Sequence, residues 1–92
     1  MFDPLLHQAI RSKLISLLIV NEELPFKALK EMLEVTDGNL SSHLNKLEKG
    51  AYIMIEKTYE DKRPKTVVHI TKEGKKAFKA YVEALKKFIK EN

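Results

Sequence analysis

In the stretch TDGNLSSHLNKLEKGAYI, residues 36–53, the side chains of Asn39, Ser41, Ser42, Asn45, Lys46 and Lys49 could act together. Leu40, Leu44 and Leu47 recur at the spacing of one helical face, so a helix here turns its leucines inward. At about 100° per residue, Ser42, Lys49, Asn45 and Lys46 then point most directly away, with Asn39 and Ser41 on the flanks. That outward face is small, polar and almost free of acid. Its chemistry is hydrogen bonding to a close, negatively charged surface. Asparagine can pair bidentately with adenine, lysine with O6 and N7 of guanine, and serine with a base edge or a phosphate. The amide groups at the start of such a helix can also receive a phosphate.

A second group of candidate residues is basic. Lys62, Arg63 and Lys65 surround Pro64, and Lys57 and Lys72 flank them. The chain carries a net charge of +4, yet residues 57–79 alone hold eight basic residues against three acidic ones. Such a local excess is the footprint expected of a polyanion partner. Lys57 and Lys72 could reach phosphates, and an arginine at a hairpin tip suits a narrow minor groove, where the potential is most negative.

The histidines are weaker candidates. His43 sits beside the leucine face, where a half-buried ring bonded to backbone is the expectation. His7 and His69 fall on different elements without carboxylates at ligand spacing, and there is no cysteine, so no metal or other cofactor is expected. No glycine-rich phosphate loop, no nucleophile with a base and no paired carboxylates in an apolar setting are present, so enzymatic activity is not expected.

These residues must be positioned by surrounding elements. The 92 residues fit one domain, 43% of them hydrophobic and 33% charged, which is a folded composition. No apolar run approaches about 20 residues and no signal-peptide pattern opens the chain, so a soluble cytoplasmic protein is expected, without a membrane role. Asp3 before Pro4 reads as the cap of a first helix running to about Val20, with Leu6, Ile10, Leu14 and Leu17/Leu18 in one stripe. Leu5, Ile15 and Ile19 lie outside that stripe and are left for a partner surface. Pro25 opens a short second helix through Leu33, and Thr36 or Asp37 caps the third. AYIMIEKTYE and KTVVHIT, joined by EDKRPK, read as a β-hairpin with Pro64 in its loop. Thr71 then caps a last helix over residues 72–90, whose Phe78, Tyr81, Val82, Leu85, Phe88 and Ile89 form a nearly heptad-spaced seam suited to a homodimer.

Three helices, a basic hairpin and a final helix, in that order, resemble the winged helix-turn-helix DNA-binding domain. The sequence is similar to small stand-alone transcriptional regulators of the MarR and ArsR families. TDGNLSSHLNKLEKGAYI resembles their recognition helix and the entry to the wing, and EKTYEDKRPKTVVHITKEGKKAF their strand, wing, strand and start of the dimer helix. The resemblance implies a mainly α, α+β fold, with residues 1–92 as one winged-helix domain and 72–90 as a C-terminal dimerisation helix. It implies a homodimeric regulator that binds double-stranded DNA sequence-specifically, its recognition helix in the major groove and its wing on the minor groove and phosphates. A winged-helix module docking on a protein complex, or a nonspecific architectural DNA binder, would use the same fold. The basic hairpin and small polar face favour DNA, since a protein-docking surface would expose more aromatics. No small-molecule effector is legible, and so short a chain would have to build any effector pocket between protomers. The resembled families place glycine directly before the pair that begins the strand, where this chain has Ala51 preceded by Gly50. Either the left-handed residue moves to Gly50, or Ala51 adopts it.

Overall fold

The computed structural model describes residues 2–91, so Met1 and Asn92, at the limits of the expected domain, lie outside the described residues. Four helices and three strands follow in the order α1 (Ala9–Asn21), β1 (Glu23–Pro25), α2 (Phe26–Leu33), α3 (Asp37–Lys49), β2 (Ile53–Glu60), β3 (Arg63–Ile70) and α4 (Lys72–Glu91). The strands form one antiparallel sheet in the order β1-β3-β2. This is a winged helix with a hairpin wing and a C-terminal helix.

The core lies where α1, α2 and α3 meet the sheet. Leu6, Leu14, Ile15, Leu18, Leu29, Leu40, Leu47 and Val68 are fully buried there, with Leu44 and Ile53 almost so. Truncating one of these leucines to alanine typically costs about 2–5 kcal/mol. Ile15 thereby departs from the expected partner surface: it is 0% exposed within a single chain. Its helix is wrapped on two sides, because α1 contacts α2, α3, α4 and the sheet. For Ile15 the broad apolar face of α1 reflects a central helix rather than a spare surface.

The first helix also begins later than Asp3-Pro4 suggests. Asp3 starts only one turn, its carbonyl accepting from Leu6 and His7 N–H at 3.1 and 2.8 Å, and its Oδ1 from Leu5 N–H at 2.8 Å. The Leu5 carbonyl, which a continuous helix would give to the Ala9 N–H, instead accepts from Nε of Arg11 at 2.7 Å. Gln8 then caps the new start, its Oε1 accepting from Arg11 N–H at 2.8 Å. A guanidinium thus takes the place of a helical ladder bond, and the chain breaks.

The sequence carries no signal for β1. Three residues, Glu-Leu-Pro, carry little strand propensity, and their partners on β3 are far along the chain: Glu23 faces His69, Leu24 faces Val68 and Pro25 faces Val67. The turn of the wing is tighter than EDKRPK implied. Glu60 still pairs with Arg63, so only Asp61 and Lys62 turn, with φ of 52° and 66°. Two positive φ values match the two-residue hairpin turn that suits the twist of the strands. Pro64 consequently lies inside β3 opposite Tyr59, and not in the loop. It is tolerated because β1 pairs with β3 only at residues 67–69, which leaves β3 an edge at position 64.

The exit of α3 resolves the glycine question. Gly50 has φ of −79° and Ala51 takes the left-handed conformation with φ of 66°. A Cβ on Gly50 would meet a terminal methyl of Leu5, which would have to shift. At the next junction, the Thr71 hydroxyl donates to the Ala51 carbonyl at 2.6 Å and accepts from Gly74 N–H at 3.0 Å. The Thr71 N–H donates to the Tyr52 carbonyl at 3.1 Å. Gly74 is buried against that same carbonyl, where any Cβ would collide with backbone. One threonine therefore caps α4 and ties it to the end of α3.

Candidate nucleic-acid interface

The third helix is set by two local devices. Thr36 is its N-cap, its hydroxyl accepting from Asn39 N–H at 3.1 Å, and Lys30 of α2 pairs with Asp37 at 2.8 Å across the helix-turn-helix corner. Asp37 in the first turn and Lys46 and Lys49 in the last agree with the helix dipole. With Leu40, Leu44 and Leu47 buried, Asn39, Ser41, Ser42, Asn45, Lys46 and Lys49 are all exposed. The structure thus brings all of these polar residues onto one accessible face.

The hairpin adds a second wall. Lys57 of β2 and Thr66 of β3 face Ser41 and Asn45 of α3 across an open cleft of about 310 Å³, floored by Phe26, Leu44 and Ile55. Lys57 therefore belongs to the α3 face rather than to the wing tip. Lys62 and Arg63 are exposed at the turn and the start of β3. Lys65 is different, because its ammonium pairs with Glu60 across the hairpin. Their hydrogen bond holds the Glu60 carboxyl below its usual pKa and lifts that of Lys65. Part of the Lys65 charge is already answered within the protein. Lys72 is exposed in the first turn of α4, beyond the Thr71 junction and separate from the cleft.

Each of the three histidines has a side-chain partner that the sequence does not indicate. His43 is half-buried, and its Nδ1 lies 3.2 Å from Nη1 of Arg11 rather than on backbone. Burial, then the charges of Arg11 and Lys46, push its pKa down from the usual histidine value. His69, expected to lack carboxylates, lies between Glu56 at 3.0 Å and Glu23 at 3.6 Å, because the β-register brings strands together that local spacing cannot. No sequence signal links Arg11 to His43, since 32 positions separate them.

The residues expected at a dimer seam spread over different depths. Phe78 and Tyr81 pack on the core, Val82 and Leu85 are half-buried, and Phe88 and Ile89 are 54% and 70% exposed. Leu5 and Ile19 are half-buried, the latter against the core. The N-terminal segment packs on the same helix. Phe2 stacks on His7 at 4.8 Å and meets Tyr81 and Phe88 edge-on, and the Tyr81 hydroxyl lies 3.1 Å from His7 Nδ1. Tyr52 donates its hydroxyl to Asp3, which together with burial pushes the phenol up to about 12.

A helix-turn-helix with an exposed polar third helix, followed by a basic two-stranded wing, defines a protein of the DNA-binding winged-helix class. The sequence matches the winged helix DNA-binding domain family over residues 10–89, and the chain belongs to that family. It is 41% identical over 76 residues to an uncharacterised protein of Methanocaldococcus jannaschii, covering 83% of each chain. Its fold is similar to a transcriptional regulator homologue of Pyrococcus horikoshii OT3, with a TM-score of 0.88 at 32% identity over 94% of this chain and 85% of that one. NadR, solved in complex with 4-hydroxyphenylacetate, gives a TM-score of 0.73 at 26% identity over 95% of this chain and 64% of its own. HlyU from Vibrio cholerae shares the fold, with a TM-score of 0.62 at 20% identity over 83% of this chain and 78% of its own. Among the described residues, no helix is long and apolar enough to cross a membrane.

Proposed function

We propose that the protein is a homodimeric transcriptional regulator that binds double-stranded DNA sequence-specifically. The observation that carries this reading is the composition of the exposed α3 face, with Asn39, Ser41, Ser42, Asn45, Lys46 and Lys49 opposite three buried leucines. In this reading α3 lies in the major groove, where Ser42 and Asn45 meet base edges. Lys57 closes on a phosphate at the cleft. Lys62 and Arg63, with a smaller contribution from Lys65, follow the backbone and the minor groove, and Lys72 meets a flanking phosphate.

The dimer is part of the proposal because one short helix reads too few base pairs to single out an operator. Val82, Leu85, Phe88 and Ile89 of α4 supply the seam, in continuity with Phe78 and Tyr81 on the core, and half-buried Leu5 and Ile19 add apolar surface to it. Two-fold pairing places half-sites about one helical turn apart, roughly 34 Å. Selection of bound sequences from random duplexes, at one stated salt concentration, tests the reading. The expected result is a near-palindromic motif. Equal retention of all sequences would leave an architectural binder, and no retention of duplex at low salt would favour a protein-docking module.

A further inference from the structure

His43 lies on α3 but outside the groove-facing set, and its surroundings give it a defined hydrogen-bonding state. A guanidinium has five N–H donors and no acceptor. Where Arg11 Nη1 meets His43 Nδ1 at 3.2 Å, the nitrogen must therefore be the acceptor and the ring proton must sit on Nε2. Arg11 is fixed in turn. Its Nε donates to the Leu5 carbonyl at 2.7 Å, and Nη2 reaches the Pro4 carbonyl at 3.5 Å. The broken start of α1 is thus what holds the guanidinium behind the imidazole.

The other ring nitrogen is available. Among the described residues Nε2 of His43 has no protein partner, and no buried side-chain nitrogen or oxygen in the structure lacks one, so Nε2 reaches solvent. His43 follows Asn39 by four residues and precedes Lys46 by three, so all three neighbour one another on one flank of α3. When a helix lies in a major groove, its flanks face the sugar-phosphate walls rather than the base edges. A neutral imidazole with its N–H outward and a guanidinium behind it presents a directed donor in a positive field.

We propose that His43 donates from Nε2 to a backbone phosphate of the bound duplex, with Arg11 as the positioning residue that fixes its tautomer. The proposal rests on the DNA-binding reading above. It assigns to the α3 edge a contact that is oriented but uncharged, in contrast to Lys46 and Lys49. The lowered pKa of His43 agrees with a ring that stays neutral at neutral pH.

Two measurements on the full chain test it. First, ring nitrogen NMR shifts of the free protein at neutral pH should show His43 with its proton on Nε2, and Arg11→Met should give a mixture of tautomers. A charged ring, or a proton on Nδ1 in the parent, overturns the proposal without any DNA. Second, affinity for one selected duplex separates two amide replacements. The amide nitrogen of glutamine falls near Nε2 and that of asparagine near Nδ1. His43→Gln should stay within about threefold of the parent, whereas His43→Asn should lose roughly tenfold, the scale of one hydrogen bond to a charged group. The salt dependence of both should remain that of the parent, since no cation is removed. Equal binding by the two variants overturns the contact. Failure of the parent itself to bind duplex DNA would instead overturn the functional reading, while the tautomer measurement still reports on Arg11 and His43.

Discussion

The outward faces of α3 and α4 are both polar, yet they are built from different side chains. On α3 the exposed residues are short: Asn39, Ser41, Ser42 and Asn45, with lysine only at Lys46 and Lys49. On α4, Lys72, Lys75, Lys76, Lys79, Lys86, Lys87 and Lys90 recur along one side, all exposed, while the opposite side is apolar. Lysine carries about 2 kcal/mol of rotamer entropy, which a fixed contact must overcome, whereas serine and asparagine have fewer rotatable bonds to fix. Two of the α4 lysines are already engaged, Lys75 with Glu22 at 2.9 Å and Lys86 with Glu83 at 3.7 Å. Exposure alone therefore does not distinguish a reading surface from a solvated one. Side-chain length is where the two faces differ.

The comparison breaks most visibly at the apolar side of α4. Leu85→Glu combined with Phe88→Glu should give monomers in sedimentation at micromolar concentration, and an affinity for the full operator lower by about a hundredfold or more as the second half-site is lost. A parent that sediments as a monomer yet binds a single half-site tightly would remove α4 from the binding mechanism.

The wing comes next. Replacing Lys62, Arg63 and Lys65 together by alanine should lower the log–log salt slope by about two units rather than three, because Lys65 is already paired with Glu60. The same treatment of Lys79, Lys86 and Lys87 should leave the slope unchanged if the α4 lysines are only a solvated face. Equal losses from both triples would erase the distinction between the two helices.

On α3 itself, Ser42→Ala or Asn45→Ala should relax base preference by about 1–3 kcal/mol at one or two positions per half-site, with the melting temperature little altered. Full retention of the preference by both variants would mean that a different face of α3 enters the groove.

The smallest effect is one of pH. Because burial and Arg11 lower the His43 pKa in the folded state, the unfolded chain binds the extra proton first. Stability should therefore fall as pH drops below the unfolded value of about 6.5, and the loss is complete once the lowered folded value is passed. His43→Gln should remove that component, read as a flatter dependence of the denaturation midpoint on pH between neutrality and the carboxylate range.

Much of the fold was legible because its signals are local. Leu40, Leu44 and Leu47 announce a helix by spacing, the β-branched runs announce a hairpin, and the Thr71 cap lies three residues before the amide it accepts from. The features that the sequence does not show have the opposite character. β1 exists through pairing with β3, and α1 begins at Ala9, where Arg11 takes the Leu5 carbonyl and Gln8 caps the helix. Ile15 is buried by helices that sequence periodicity places on no particular side. The site divides in the same way. The outward set on α3 follows from its own period, whereas Lys57 in the cleft, the Glu60-paired Lys65 and the Arg11–His43 pair depend on contacts between separate segments.

The threonine junction has a mechanical consequence. Between the end of β3 at Ile70 and the start of α4 at Lys72 there is one residue, and its hydroxyl bonds the first turn of α4 and the Ala51 carbonyl, two residues past the end of α3. A linker of that length has no slack, and Gly74 pressed on the Tyr52 carbonyl leaves no gap to absorb a tilt. Thr71 and Gly74 therefore join the start of α4 to the segment that leaves α3, in the position of the pivot of a bell-crank. If α4 pairs two protomers, the crossing angle of the pair is geared directly to the separation of their α3 helices. A partner that rotated the α4 pair would change the reach across the DNA without touching a single side chain on the α3 face.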